Sequence, residues 1–322
     1  MIGDILNALA YRIRPYEEEE GLTNQVLENS KQLVCQAFEK KISMGKALRK
    51  VKSDFAKISV DRTRVKPKVS IIGEFWAMTT EGDGNYKLQQ FLEQEGAEVE
   101  VQPVAAWVLY LVWSAQYDLN QRLDLGGIDE KDGAGSKFAL EGVNTRKSFI
   151  KLKAADFVLR KLFHHYSKKI GLFHYHLPNL DEISALSKKY YDNNLRGGEG
   201  HMEVGKLVAN VLHNKVNMTL SVKPFGCMPS SGVSDGVQSK MVEKFPEAIF
   251  LPIETSGDGA VNVYSRIQMQ LFKAKQKAQS EFEQALEEKS DIATHLEAKM
   301  KDHTSLDYKH KGYGCTAANA VA

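Results

Sequence analysis

The sequence predicts an α/β protein: a doubly wound, mostly parallel sheet with a helical amino-terminal segment and a long carboxyl-terminal helix. Three observations predict it. Residues 66–104 read as strand, loop, helix and strand in close succession, the order of a βαβ unit. The strand-type stretches there, at 219–225 and at 248–254, are near-continuous apolar runs, as expected when helices cover both faces of a sheet. Between and beyond them, apolar residues recur at helical spacing over long stretches. At 322 residues and 43% hydrophobic content, the chain can build one large or two modest cores.

The first 65 residues read as helices. Asp4 is placed to cap a segment carrying Ile5, Leu6, Leu9 and Ile13, which Pro15 ends. A second helix is expected from Asn24 to about Ile42, with Val26, Leu27, Leu33, Val34, Ala37 and Phe38 inward and Cys35 at the edge of that stripe. The basic stretch between Lys46 and Lys68 fits a solvated helix face and linker. KPKVSIIGEFWAM then supplies the first strand, TTEGDGN a glycine-bearing loop, and NYKLQQFLEQEG a helix that buries Leu88, Phe91 and Leu92. Val99, Val101 and Val104 continue as a second strand.

Residues 107–218 read as a helical insertion that includes the loop DLGGIDEKDGAGSK and a helix from about Ser148 to Lys169. TLSVKPF and AIFLPIE return to strand, and from Val261 to about Lys301 the pattern is one long helix or two joined ones. The domain expectation is therefore a helical segment at 1–65, a Rossmann-like α/β domain at 66–279, and a terminal helix and tail at 280–322.

Charge and composition narrow the function classes. The 43 Lys and Arg nearly balance 41 Asp and Glu, a net +2, which gives no overall electrostatic footprint for nucleic acid. No apolar run approaches the roughly 20 residues of a membrane span, and the amino terminus lacks a signal core. Cys35, Cys227 and Cys315 lie far apart with no CxxC pair. That argues against a disulfide framework and for a reducing, cytoplasmic setting.

Chemistry concentrates at three strand-to-helix loops. In TLSVKPFGCMPSSGVSDG, Cys227 follows a strand and precedes a helix, where Gly226, Ser230 and Ser231 offer backbone amides and hydroxyls to a ligand. Cys227 can be an iron-sulfur ligand, a nucleophile or an inert thiol. GEFWAMTTEGDGN offers Glu74 as an acid-base group and Thr79, Thr80 and Gly82 as ligand contacts, although neither GxGxxG nor GxxxxGK[ST] is present. IETSGDGAVNVYSR repeats the arrangement with Gly257, and Ser256 or Asn262 as helix cap. GEGHMEVG adds His201 and Glu203, a metal or acid-base pair in need of a third group. All three loops are expected at one carboxyl edge of the sheet.

VSIIGEFWAMTTEGDGNYKLQQFLEQEGAEV, VKPFGCMPSSGVSDGVQSK and FLPIETSGDGAVNVYSRIQMQL resemble segments of proteins related to 2-hydroxyacyl-CoA dehydratase and its ATP-dependent activator, the activase-related group. DILNALAYRIRPYE and GYGCTAAN fit as well, so the likeness covers most of residues 1–315. The resemblance implies a cysteine-ligated iron-sulfur cluster, of 4Fe-4S type, that receives low-potential electrons from an activator driven by ATP hydrolysis. It also implies single-electron reduction of an acyl-CoA-type substrate. Carried over by position, Cys227 is the first candidate ligand, Cys315 the second and Cys35 the third. The chain begins like the middle of a longer member and shows none of the activator's ATP-binding loops. An activator or cysteine-bearing partner subunit is thus expected to complete the site in an oligomer. The alternatives are a scaffold subunit that docks through its long charged helix, and a thiol enzyme in which His201 serves Cys227 as base.

Overall fold

The computed structural model describes residues 1–62, 64–125, 145–195, 200–257, 259–288 and 309–322. Four strands, β1 (Lys68–Gly73), β2 (Glu98–Val101), β3 (Met218–Pro224) and β4 (Phe250–Thr255), form one sheet in the order β2-β1-β3-β4. Every pairing is parallel. Alternate side chains point to opposite faces, and both faces are covered. Val69, Ile71, Val99, Leu220, Val222, Leu251 and Ile253 pack against α5 (Leu88–Gln94) and α12 (Ala260–Glu287). On the other face, Ile72 meets α9 (Gly200–Leu212) and α11 (Ser239–Lys244) through Leu207, Val208 and Met241. The sheet is thus doubly wound.

The remaining helices build a second core beside the sheet. α1 (Ile2–Ile13), α2 (Leu22–Glu39) and α3 (Met44–Phe55) precede β1 in the chain, and α6 (Val104–Leu125), α7 (Thr145–Ile170) and α8 (Leu180–Ser187) lie between β2 and β3. Ile5, Leu9, Leu48, Phe55, Leu109, Trp113, Phe163 and Ile170 pack together in one cluster, so the amino-terminal helices and the insertion share a core. None of the described helices is long and apolar enough to cross a membrane.

Several local expectations are corrected. Asp4 lies within the first turn of α1, and its carboxylate accepts from Val104 N and Ala105 N at 3.1 and 3.0 Å, capping α6 instead. Val104 therefore opens a helix and does not extend β2, since Pro103 breaks the strand first. Phe38 is 81% exposed and Cys35 is exposed too, so the inward stripe of α2 is narrower than its apolar residues suggest. Gly259 stands at the cap position of α12 with no side-chain cap from Ser256 or Asn262. Most of the DLGGIDEKDGAGSK loop and the continuation of the long helix toward Lys301 lie outside the described residues.

α13 (Thr316–Val321) closes the amino edge of the sheet. Glu281 of α12 accepts from Asn217 Nδ2 at 2.9 Å and from Cys315 N at 3.1 Å, while Asn217 Oδ1 accepts from Lys68 N at 2.9 Å. This buried amide and carboxylate chain satisfies polar groups at the start of β1 and β3, where an orphaned donor would be costly.

Candidate functional site at the carboxyl edge

The chain winds from β1 to β2 through α5 on one face and reaches β3 through α9 on the other. The carboxyl ends of β1 and β3 are therefore the topological switch point, where loops diverge and open a crevice in sheets of this class. Gly73 ends β1 at φ +126°, and a Cβ there would lie 2.1 Å from Val222 O. Only glycine allows the strands to approach this closely. Glu74 N then donates to Val222 O at 2.8 Å, which carries the pairing one residue past the strand.

The first loop turns most of its polar groups on itself. Glu74 is the N-cap of α4 (Phe75–Thr79), accepting from Ala77 N at 2.9 Å. Thr79 and Thr80 donate their hydroxyls to Phe75 O and Trp76 O at 2.7 and 2.5 Å. Gly82 O accepts from Lys87 N at 2.9 Å in the following turn, and buried Asn85 donates to Ala77 O and Thr80 O. Glu74 thus stands at the switch point as expected but works there as a helix cap.

The second loop carries the thiol. Cys227 N donates to Pro224 O at 3.1 Å, closing a turn in which Gly226 takes the left-handed position at φ +76°. Phe225 N donates to Thr255 O at 3.1 Å and fastens this turn to β4. Cys227 is half-buried at the start of α10 (Met228–Ser231). Phe225, two residues before it, and Met228, directly after it, are 78% and 84% exposed, and Trp76 of the first loop is 71% exposed. An apolar surface is thus open at the switch point.

Beneath the thiol lies a polar layer on the α9 face of the sheet. Ser230 donates to Glu203 Oε1 at 2.9 Å, and Ser221 to Glu203 Oε2 at 3.4 Å. Lys223, only 2% exposed, donates to Asp235 Oδ2 at 2.5 Å and Ser231 Oγ at 3.3 Å, and forms an ion pair with Glu254 Oε2 at 3.3 Å. Asp235 comes from a π-helical stretch, Gly232–Gln238, whose wider turn is a recurrent feature of functional sites. Tyr86 fixes the third loop to the first: its hydroxyl exchanges hydrogen bonds with Ser256 O and Ser256 N, and Tyr264 donates to Tyr86 O at 2.6 Å. Gly257 sits exposed in that third loop. The three loops therefore share one edge, as their sequence positions predict.

Two candidates do not join Cys227 there. Cys315 is fully buried at the opposite edge, and the seven residues of β3 separate the two by roughly 20 Å at ~3.3 Å per residue. Its Sγ accepts from Ala318 N at 3.4 Å to cap α13, and burial pushes its thiol up to about 12. His201 is buried in α9, its ring 5.2 Å from both Tyr110 and Trp113 in the helical core. Glu203, two residues along the same helix, accepts from the serines below Cys227, and among the described residues no group of three His, Cys, Asp or Glu forms a metal site. Sequence reasoning missed the Lys223 triad. The available signal was a lysine inside an apolar strand, which a folded chain tolerates only beside acids.

Comparison with protein-family models, with curated proteins and with solved structures gives no match. The difference in thiol environment has a direct readout. Iodoacetamide on the native protein at neutral pH should label Cys35 and Cys227 but leave Cys315 unmodified until denaturant is added, as peptide mass spectrometry would record. Native labelling of Cys315 as fast as Cys35 contradicts its placement.

Proposed function

We propose that this chain is a 2-hydroxyacyl-CoA dehydratase-like subunit that supplies Cys227 as one ligand of an iron-sulfur cluster completed by another chain. The observation that carries the reading is a half-buried thiol at the β1/β3 switch point, on an edge whose loops also expose Trp76, Phe225 and Met228. A cluster ligand at a subunit boundary needs an accessible sulfur and a surface that a partner can dry. Both are features of this edge, and low dielectric around a cluster is one of the means by which a protein sets its potential.

The residues of this chain do not fit a whole cluster, which takes about four thiolate ligands. Cys315 is at the far edge, and among the described residues no three His, Cys, Asp or Glu side chains gather as a metal site. The chain's own contribution is to present Cys227 on a turn held by Pro224 O and Thr255 O, above a polar layer anchored by Lys223. Bound there, the cluster would supply low-potential, ATP-driven electron transfer for reduction of an acyl-CoA-type substrate in the reducing cytoplasm. His201 packs its buried ring against Tyr110 and Trp113, which gives the thiol-nucleophile reading less support than the ligand reading.

Anaerobic purification with co-purifying partners, followed by iron and sulfide analysis and electron paramagnetic resonance, tests the proposal. Iron and the cluster signal should be present with wild type and lost in Cys227→Ala, while the assembly itself persists. Equal iron in the variant, or an iron-free assembly in both, refutes it.

A further inference from the structure

Away from the sheet, α3 and α7 flank a cleft of about 690 Å³ whose polar lining is Arg49, Lys52, Ser53, His165, Lys168 and Lys169. No carboxylate is among its lining residues. The spacing explains the convergence: Arg49, Lys52 and Ser53 share one face of α3, and His165, Lys168 and Lys169 share one face of α7. The reverse faces are anchored, since Leu48, Val51 and Phe55 on α3 and Phe163 and Ile170 on α7 are fully buried in the helical core. The walls are therefore fixed before any ligand arrives.

The nearby acid Asp54 does not relieve this charge, because it pairs with Lys50 and Lys57 at 3.1 and 3.0 Å. Lys168 and Lys169 complement the carboxyl end of α7, and Lys52 that of α3, effects worth about 0.3–1 kcal/mol each. That accounts for single lysines, not for two helices turning basic faces toward one concavity. Lys169 Nζ moreover reaches 3.4 Å from the point where a Gly45 side chain would begin, in the first turn of α3. A cation against the positive end of a helix that carries no acid in its first turn is unfavourable unless an anion is shared between them.

We propose that this cleft binds the diphosphate group of a small phosphorylated ligand. Four cationic side chains, Arg49, Lys52, Lys168 and Lys169, match its multiple negative charges, and the Arg49 guanidinium fork suits two phosphoryl oxygens. Concave walls of one sign focus the potential on the occupant, and the volume suits a small-molecule ligand. The near-zero net charge of the whole chain conceals this local excess.

Inorganic pyrophosphate titrated calorimetrically into the full-length protein tests the assignment. Saturable one-to-one binding is expected, weakening as sodium chloride is raised. Arg49→Ala/Lys168→Ala should weaken it at least about tenfold, with the thermal midpoint changed by no more than about 4 °C, because both side chains are exposed and only the Lys168 helix-end effect is lost. Lys240→Ala/Lys273→Ala, an equal loss of charge elsewhere, should leave it intact. Adenosine diphosphate should compete with pyrophosphate for the same site, whether the natural source is a nucleotide or a free polyphosphate. Absence of binding, binding that survives the cleft variant, or nucleotide that binds without displacing pyrophosphate overturns the proposal.

Discussion

Gly73→Ala is expected to destabilise the protein by roughly 4 kcal/mol or more, the range reached when overpacking and backbone strain act at one buried position. The new Cβ would lie 2.1, 2.5 and 2.8 Å from Val222 O, N and C. These are main-chain atoms in the adjacent strand, so no rotamer change relieves the clash. The φ of +126° adds strain of its own, of order 1–3 kcal/mol for a residue other than glycine. Relief requires β1 to move away from β3, which breaks the Glu74 N to Val222 O hydrogen bond and loosens the base of the Cys227 loop. Gly226→Ala is the informative control. Its φ of +76° is also left-handed, but nothing lies within 4 Å of its Cβ position, so about 1–2 kcal/mol is expected. Urea unfolding of the two variants gives the comparison, and equal midpoints would falsify the steric account.

The same region shows what the sequence carries and what it leaves out. Strand-type apolar runs, a glycine after three of the four and a helix beyond are local facts, so the parallel sheet, its two covered faces and the common edge of three loops could all be read from the chain. Side-chain partners could not, because spacing gives the face a residue occupies within its own element and not what packs there. Asp4 looks like a cap for its own helix but caps one that begins a hundred residues later. His201 and Glu203 look like a pair but point to different neighbours, the helical core and the serines under Cys227. Cys227 and Cys315 both stand at helix starts in small-residue segments, and only the strand direction places them at opposite edges. Helix starts in a parallel sheet lie at the carboxyl edge when they follow a strand, and among the described residues the element before α13 is the helix α12.

The Lys223 triad, invisible to motif reading, should show a large and asymmetric response to charge removal. Lys223 is 2% exposed, whereas the side chains of Asp235 and Glu254 are 61% and 38% exposed. Asp235→Asn/Glu254→Gln therefore leaves a buried ammonium with no anion, a loss expected at about 3 kcal/mol or more. Lys223→Met removes the buried charge and keeps most of the volume, while the two acids remain partly solvated; less than about 1 kcal/mol is expected. Combining the three changes should recover most of the stability lost in the acid double variant, because no buried charge is then left uncompensated. Chemical denaturation of the four proteins closes the cycle. If Lys223→Met proves as damaging as removal of both acids, attraction within the triad, and not desolvation of Lys223, dominates. The consequence reaches the site itself. Lys223 connects the end of β3 to the π-helical turn and to the end of β4, so an unpaired lysine should release the loop that presents Cys227. Faster alkylation of Cys227 in the acid double variant than in Lys223→Met would be the chemical sign of that release.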